Sequence, residues 1–169
     1  MKDEKFMYIA LQQAEEAGNR REFPVGCIIT LGDEIVAEGR RSCSGGNGQT
    51  NELDHAEITA LRNLSVGGGK YDASQLTVYS TLEPCLMCYS TLLVNGFLHI
   101  VYACEDVMGG GTNLPLDKLA PLYRDLQPEI RGGVLRNESL RLFQRFFLDP
   151  ACCYLQDTLF ARHILSQKV

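Results

Sequence analysis

Two short fragments constrain the fold of this chain more than any other feature: His55-Ala56-Glu57 and, about thirty residues later, Pro84-Cys85-Leu86-Met87-Cys88. Together they offer one imidazole, two thiols and one carboxylate. A structural zinc usually takes four protein ligands, whereas a catalytic zinc takes three and leaves a position for water or substrate. Any fold that uses this set must bring the two fragments to one point. Residues two apart on a regular helix face different sides. His55 and Glu57 can therefore share a pocket only from the first turn of a helix whose N-terminal end faces it.

The neighbouring residues fit that requirement. Asp54 is the expected cap, Ala56 to Leu64 reads as a helix, and the run Gly67 to Gly69 stops it. Leu76 to Ser80 reads as a strand, and Pro84 then suits the first turn of a second helix. Cys85 and Cys88, three apart, would sit on one face near that helix start. There the helix dipole favours the thiolate, the form that binds metal. The chemistry implied is metal-assisted hydrolysis. The alternatives are a redox Cys-x-x-Cys pair or half of a structural zinc knuckle. The knuckle would need a fourth ligand such as Cys104 or His99, and no second Cys-x-x-Cys is present. A structural site also has no use for the carboxylate at position 57.

Three stretches occur in a familiar order: Glu22-Phe23-Pro24-Val25-Gly26-Cys27, His55 to Arg62, and Thr81-Leu82-Glu83-Pro84-Cys85-Leu86-Met87-Cys88. They resemble the cytidine/deoxycytidylate deaminase superfamily, in detail the branch that holds tRNA-adenosine deaminases and guanine deaminases. The resemblance spans residues 1–148 as a deaminase domain, with 149–169 left as a C-terminal helical extension of the same domain. It implies a three-layer α/β/α fold with a five-stranded mixed sheet flanked by helices. It also implies one Zn2+ per chain held by His55, Cys85 and Cys88, with a water completing the site. Glu57 would carry that water's proton to the substrate ring. Ala56 and Glu83, beside the metal ligands, are candidate substrate contacts. A homodimer is expected on the same basis, as is a pocket completed by a neighbouring subunit or by the C-terminal segment.

The rest of the chain alternates helix and strand, which by itself argues for helices on both faces of one sheet. Met7, Ala10, Leu11, Ala14 and Ala17 recur at helical spacing up to Gly18, and Val25–Leu31 with Ile35–Ala37 form a hairpin through Gly32-Asp33. A strand is expected from His99 to Ala103, a short helix within Pro115 to Tyr123, and a last strand from Glu129 to Leu135. Asn137 is the expected cap of a helix reaching Leu148, and Cys153 to Leu165 reads as one more amphipathic helix. The glycines of Met108 to Thr112 lack the lysine and spacing of a phosphate loop and read as a turn beside the pocket. Phe143, Phe146 and Phe147 read as core rather than as a base-stacking platform. Seven cysteines with no export signal are expected to stay reduced in the cytoplasm. Cys27 is expected as a small buried apolar residue.

Charge bears on the substrate. Proteins that hold nucleic acid draw most of their affinity from lysine and arginine, yet this chain has 16 basic against 21 acidic residues and a net charge of -5. The residues after Phe146-Phe147 are not basic. A small nucleobase or nucleoside is therefore expected, with tRNA wobble adenosine as the alternative and a zinc-stabilised binding module without turnover as the third. No stretch is apolar enough to suggest a membrane partner. Related enzymes place an asparagine between the second strand and the His-x-Glu. Here Arg41 falls near that place, and Asn47 or Asn51 could substitute only if the loop folds back.

Overall fold

The apolar runs become strands and the amphipathic runs become helices largely where their periodicities place them. The computed structural model describes residues 2–46 and 48–169. Helix α1 (Lys2–Asn19) leads to the hairpin β1 (Gly26–Leu31) and β2 (Glu34–Arg40), which turns at Gly32 with φ +59°. Then follow α2 (Ala56–Val66), β3 (Leu76–Leu82), α3 (Leu86–Val94) and β4 (His99–Cys104). The chain ends with α4 (Pro121–Arg124), β5 (Glu129–Arg131), α5 (Arg136–Leu148) and α6 (Leu159–Ser166).

The five strands form one mixed sheet in the order β2-β1-β3-β4-β5. β1 runs antiparallel to β2 and β3, while β3, β4 and β5 are parallel. Successive strand residues face opposite sides, and both sides are buried. Ile28, Tyr79 and Val101 meet Phe6, Met7 and Ala10 of α1 on one side. Cys27, Ile29, Val78 and Ile100 meet Ala56, Ala60, Tyr89 and Leu92 of α2 and α3 on the other. Helices on both faces of one sheet give the expected α/β architecture. Among the described residues, no helix is long and apolar enough to cross a membrane.

Several boundaries differ from expectation, each for a local reason. α1 runs past Gly18 to Asn19. Asp54 does not cap α2; its carboxylate is engaged by Asn51 and Arg62, and His55 takes the cap position. Pro84 stands before the cap of α3, because its carbonyl accepts from Gly111 and Cys85 bridges to Gly110. The cap of α5 is Leu135, at φ 53°, rather than Asn137. β5 stops at Arg131, where the Tyr102 ring packs against Gly132, and Gly133 turns at φ +88°. The stretch Pro115 to Tyr123 splits into a 3-10 turn (Leu116–Lys118) and α4. The last helix starts only after Thr158, whose hydroxyl accepts from Ala161. Residues before it form turns.

The three phenylalanines of α5 are core. Phe143 is fully buried, and its ring lies 5.1 Å from that of Phe23 and 5.3 Å from that of Phe160 in α6. The terminal segment thus packs on the same core as the sheet. A second tie is polar: Glu105, just after β4, accepts from Arg136 Nε at 2.7 Å and pairs with His163 Nε2 at 3.2 Å. His163, given no role from the sequence, is one end of this cluster. The Arg136 hydrogen bonds hold the Glu105 carboxyl down at about 2. A carboxylate held below its unfolded value near 4.3 stabilises the fold above that value and loses the effect as pH falls toward 2. Arg136→Ala should lower stability at pH 7 by on the order of 1 kcal/mol after solvent screening. The gap to the native protein in thermal melts should close between about pH 4 and pH 2.

Candidate active site

The site lies where the N-terminal ends of α2 and α3 meet beside the end of β3. His55 is the cap residue of α2 with extended backbone (ψ 155°) and no capping bond from its side chain, so its ring is free to face the cleft. Cys85 is the cap residue of α3 in the same manner (ψ 170°), and Cys88 follows within the first turn. Each helix thus presents its electropositive end to the same point. Among the described residues, His55, Cys85 and Cys88 are the one group of three or more potential ligands whose donor atoms lie within 4.8 Å of one another.

The spacing within this group suits zinc. Two ligands of a tetrahedral zinc, a sulfur at about 2.3 Å and a nitrogen at about 2.0 Å, stand roughly 3.5 Å apart. His55 Nδ1 lies 3.6 Å from Cys85 Sγ and 3.5 Å from Cys88 Sγ. Hydrogen bonding from Cys88 holds the Cys85 thiol down at about 4, while sharing that proton pushes Cys88 up. Burial opposes a charged His55 imidazole, but the Cys85 hydrogen bond and nearby Glu57 raise its pKa on balance. Neither Cys104 nor His99 belongs to the group. The Cys104 thiol donates to the Glu105 carbonyl and is pushed up to about 12, chiefly by burial. His99 pairs with Glu129 at 3.1 Å.

Glu57 sits one turn into the same pocket and is 3% exposed. Its Oε1 accepts from Ser80 Oγ at 3.0 Å and its Oε2 from Cys88 Sγ at 3.4 Å. Burial raises its pKa above the usual carboxylate range. A carboxyl poised this way can both take and return a proton. Ser80 escaped notice in the sequence, although a hydroxyl on the inner face of an apolar strand must find a polar partner.

A cavity of about 70 Å³ opens over these groups. Phe23, Val25, Leu82 and Leu155 supply apolar walls; His55, Ala56, Glu57, Glu83, Cys85, Asp106, Arg41 and Tyr154 complete the lining. Ala56 and Arg41 therefore stand where a substrate contact is expected. Glu83 also lines the cavity, but its carboxylate accepts from Asp106 N, Thr112 N and Thr112 Oγ1, tying down the glycine turn. Asn51 is outside the lining: its side chain organises the loop, accepting from Leu53 and Asp54 amides and donating to Asp54. Asn47 lies outside the described residues. Tyr154 and Leu155 come from the C-terminal extension, which the sequence marked as a segment able to complete the pocket without indicating which residues. Nothing in a local pattern shows that Tyr154 and Leu155 will meet His55, about a hundred residues earlier.

The chain is similar to known proteins in sequence and fold. The family model for the cytidine and deoxycytidylate deaminase zinc-binding region matches residues 1–104. A tRNA-specific adenosine deaminase of Streptococcus pyogenes serotype M18 is 26% identical over 142 residues, covering 84% of this chain and 87% of the relative. A tRNA(Ile)-lysidine synthase of Deinococcus radiodurans is 36% identical over 139 residues; 82% of this chain aligns, but only 23% of that much longer protein. Among solved structures, one of the tRNA:A34 deaminases superposes with TM-score 0.65 at 26% identity, over 82% of this chain and 98% of the other. Guanine deaminase from Bacillus subtilis superposes with TM-score 0.53 at 30% identity, over 60% of this chain and 64% of the other. With the motif, the fold and the family model in agreement, this chain belongs to the cytidine and deoxycytidylate deaminase zinc-binding family and is an enzyme acting on carbon–nitrogen bonds.

Proposed function

We propose that this protein is a zinc-dependent hydrolytic deaminase that converts an amine-bearing nucleobase or nucleoside ring to its oxo form and releases ammonia. The observation that carries this is Glu57, a buried carboxyl against the His55–Cys85–Cys88 group but outside it. His55, Cys85 and Cys88 would hold zinc, which when bound supplies the Lewis acidity that makes water nucleophilic near neutral pH. Glu57 takes a proton from that water as it attacks the ring carbon bearing the amine. It then delivers protons to the ring nitrogen and to the departing amine, so that water and the ring amine become the oxo product and ammonia. Ser80 holds Glu57 Oε1 in place during both transfers. Phe23, Val25, Leu82 and Leu155 exclude bulk water from the ring.

Two observations favour a small ring over tRNA. The net charge of -5 gives little attraction for a polyanion. The cavity is small and walled by Tyr154 and Leu155 of the extension. The tRNA reading draws on the relatives named as tRNA adenosine deaminases and stands as the alternative. We take residues 1–148 as the deaminase unit and 149–169 as an extension of the same domain, working as a homodimer in the cytoplasm. The test is ammonia release by the zinc-loaded protein from free bases, nucleosides, nucleotides and an anticodon stem-loop. Release from a small ring supports the proposal, release from the stem-loop alone replaces it with tRNA editing, and none from any substrate favours a binding module.

A further inference from the structure

One carboxylate oxygen beside the cavity meets side chains from three separate parts of the chain. Glu52 Oε2 accepts from Tyr154 Oη at 2.7 Å and from Arg41 Nη2 at 3.2 Å, and it lies 3.6 Å from Nε2 of His55. The other ring nitrogen of that histidine, Nδ1, is the one turned toward the Cys85 and Cys88 sulfurs. An imidazole that gives the lone pair of one nitrogen to a metal keeps its proton on the other, and such histidines commonly donate that proton to a carboxylate. Glu52 stands where that acceptor belongs. The contact is about half an ångström longer than a hydrogen bond. A cation on Nδ1 would make the Nε2 proton more acidic and draw the carboxylate in.

We infer that Glu52 is a positioning residue for the metal ligand His55, and that Tyr154 of the C-terminal extension acts on the metal site through it. The inference rests on the zinc site proposed above. The Glu52 side chain is 67% exposed, and an unanchored glutamate would lose much rotamer freedom in pairing with the imidazole. Its two donors have already fixed it. The Arg41 side chain is 2% exposed and its Nη2 also donates to the Asn51 carbonyl at 2.9 Å. A buried guanidinium needs a paired anion, so Arg41 and Glu52 order one another. The Tyr154 ring lies 5.2 Å from that of Phe23, which anchors it on the core. Burial, followed by the Glu52 hydrogen bond, pushes the Tyr154 hydroxyl up to about 12, so it stays a donor at neutral pH. Glu52 is absent from the cavity lining, so it acts on the histidine and not on a bound ring.

Zinc affinity of the full chain, measured by chelator competition, tests this apart from turnover. Glu52→Ala should bind zinc about 10- to 100-fold more weakly than the native protein. Glu52→Gln keeps an acceptor oxygen at the same reach and should recover part of that loss. Tyr154→Phe removes only the hydroxyl and should weaken zinc by a smaller factor. Cobalt bound in place of zinc gives a second readout, because its visible absorption bands follow the orientation of the imidazole. Those bands should move in Glu52→Ala and in Tyr154→Phe, which a role confined to holding the loop would not produce. Native affinity and native bands in both variants overturn the assignment. So does a loss in Glu52→Ala that Glu52→Gln leaves wholly unrepaired, since that pattern marks a carboxylate needed only for its charge on Arg41. Tyr154→Phe keeps the test decisive if Glu52→Ala fails to fold. A native protein that takes up no zinc overturns the metal site and this assignment with it. Graded zinc affinity without ammonia release from any substrate supports Glu52 and sinks the deaminase proposal alone.

Discussion

Glu57→Gln should reduce ammonia release by at least about 10²- to 10⁴-fold, the range set by losing a general acid–base, while zinc content stays at one per chain. Gln retains the acceptor that Ser80 uses at 3.0 Å and nearly the same volume, so the pocket keeps its shape. It removes a carboxyl whose ionised form burial disfavours, so the melting temperature should hold or rise slightly. Metal analysis and thermal melts on the same sample check both halves. Loss of zinc in Glu57→Gln would make Glu57 a ligand rather than a proton carrier and would rule out the mechanism given above. Near-native turnover would do the same for its catalytic role.

Gly39→Ala should lower both stability and activity, although Gly39 contributes no side chain to the cavity. It lies in β2 where α2 crosses, and an added Cβ would fall on the Ala56 carbonyl oxygen and the Ala60 amide nitrogen. It would also stand 2.9 Å from Ala60 Cα. None of these is the flexible end of a side chain. Relief requires α2 to move off the sheet by about 1 Å, and His55 and Glu57 move with it. Overpacking of this kind costs about 1–3 kcal/mol, and a 1 Å misplacement of reacting groups can cost about 10²-fold in rate. The variant should therefore fold with a lowered melting temperature and lose activity far beyond its loss of folded protein. If kcat per folded, zinc-loaded molecule is unchanged, the close approach of α2 to β2 does not set the site.

The clustering of His55, Cys85 and Cys88 with Glu57 beside them was legible because each residue obeys a local rule. A histidine and a glutamate two apart can share a pocket only at a helix start, and thiols three apart share a face. Those rules hold within one turn of chain. The sheet with helices on both faces was legible for a similar reason, since the periods of two and 3.6 change where the elements change. Helix starts were misplaced by a residue or two at Asp54, Pro84 and Asn137. At Pro84 the reason is distant in sequence, since Gly110 and Gly111 engage Cys85 and Pro84, and at Asp54 it is the carboxylate's engagement by Asn51 and Arg62. The terminal helix was expected too early because residues 153–158 mix apolar and polar side chains as an amphipathic helix does, yet they form turns that bring Tyr154 and Leu155 to the cavity.

Taken alone, the sequence determined the chemistry available: one imidazole, two thiols and a carboxyl at spacings that only two converging helix starts can use. It also determined the charge that disfavours a polyanion. What only the tertiary structure decided is the far wall of the pocket. Tyr154 and Leu155 reach the cavity because Phe160, Ala161 and Ile164 anchor the extension on the common core. Arg41 becomes a buried donor with one free arm because Glu52, Asn51 and Tyr154 converge on its other nitrogen. The physical reason is the range of the forces involved. Backbone hydrogen bonding and side-chain periodicity act over a few residues and leave a mark in the sequence. Burial acts between segments a hundred residues apart, and its partners are chosen only when the chain has folded.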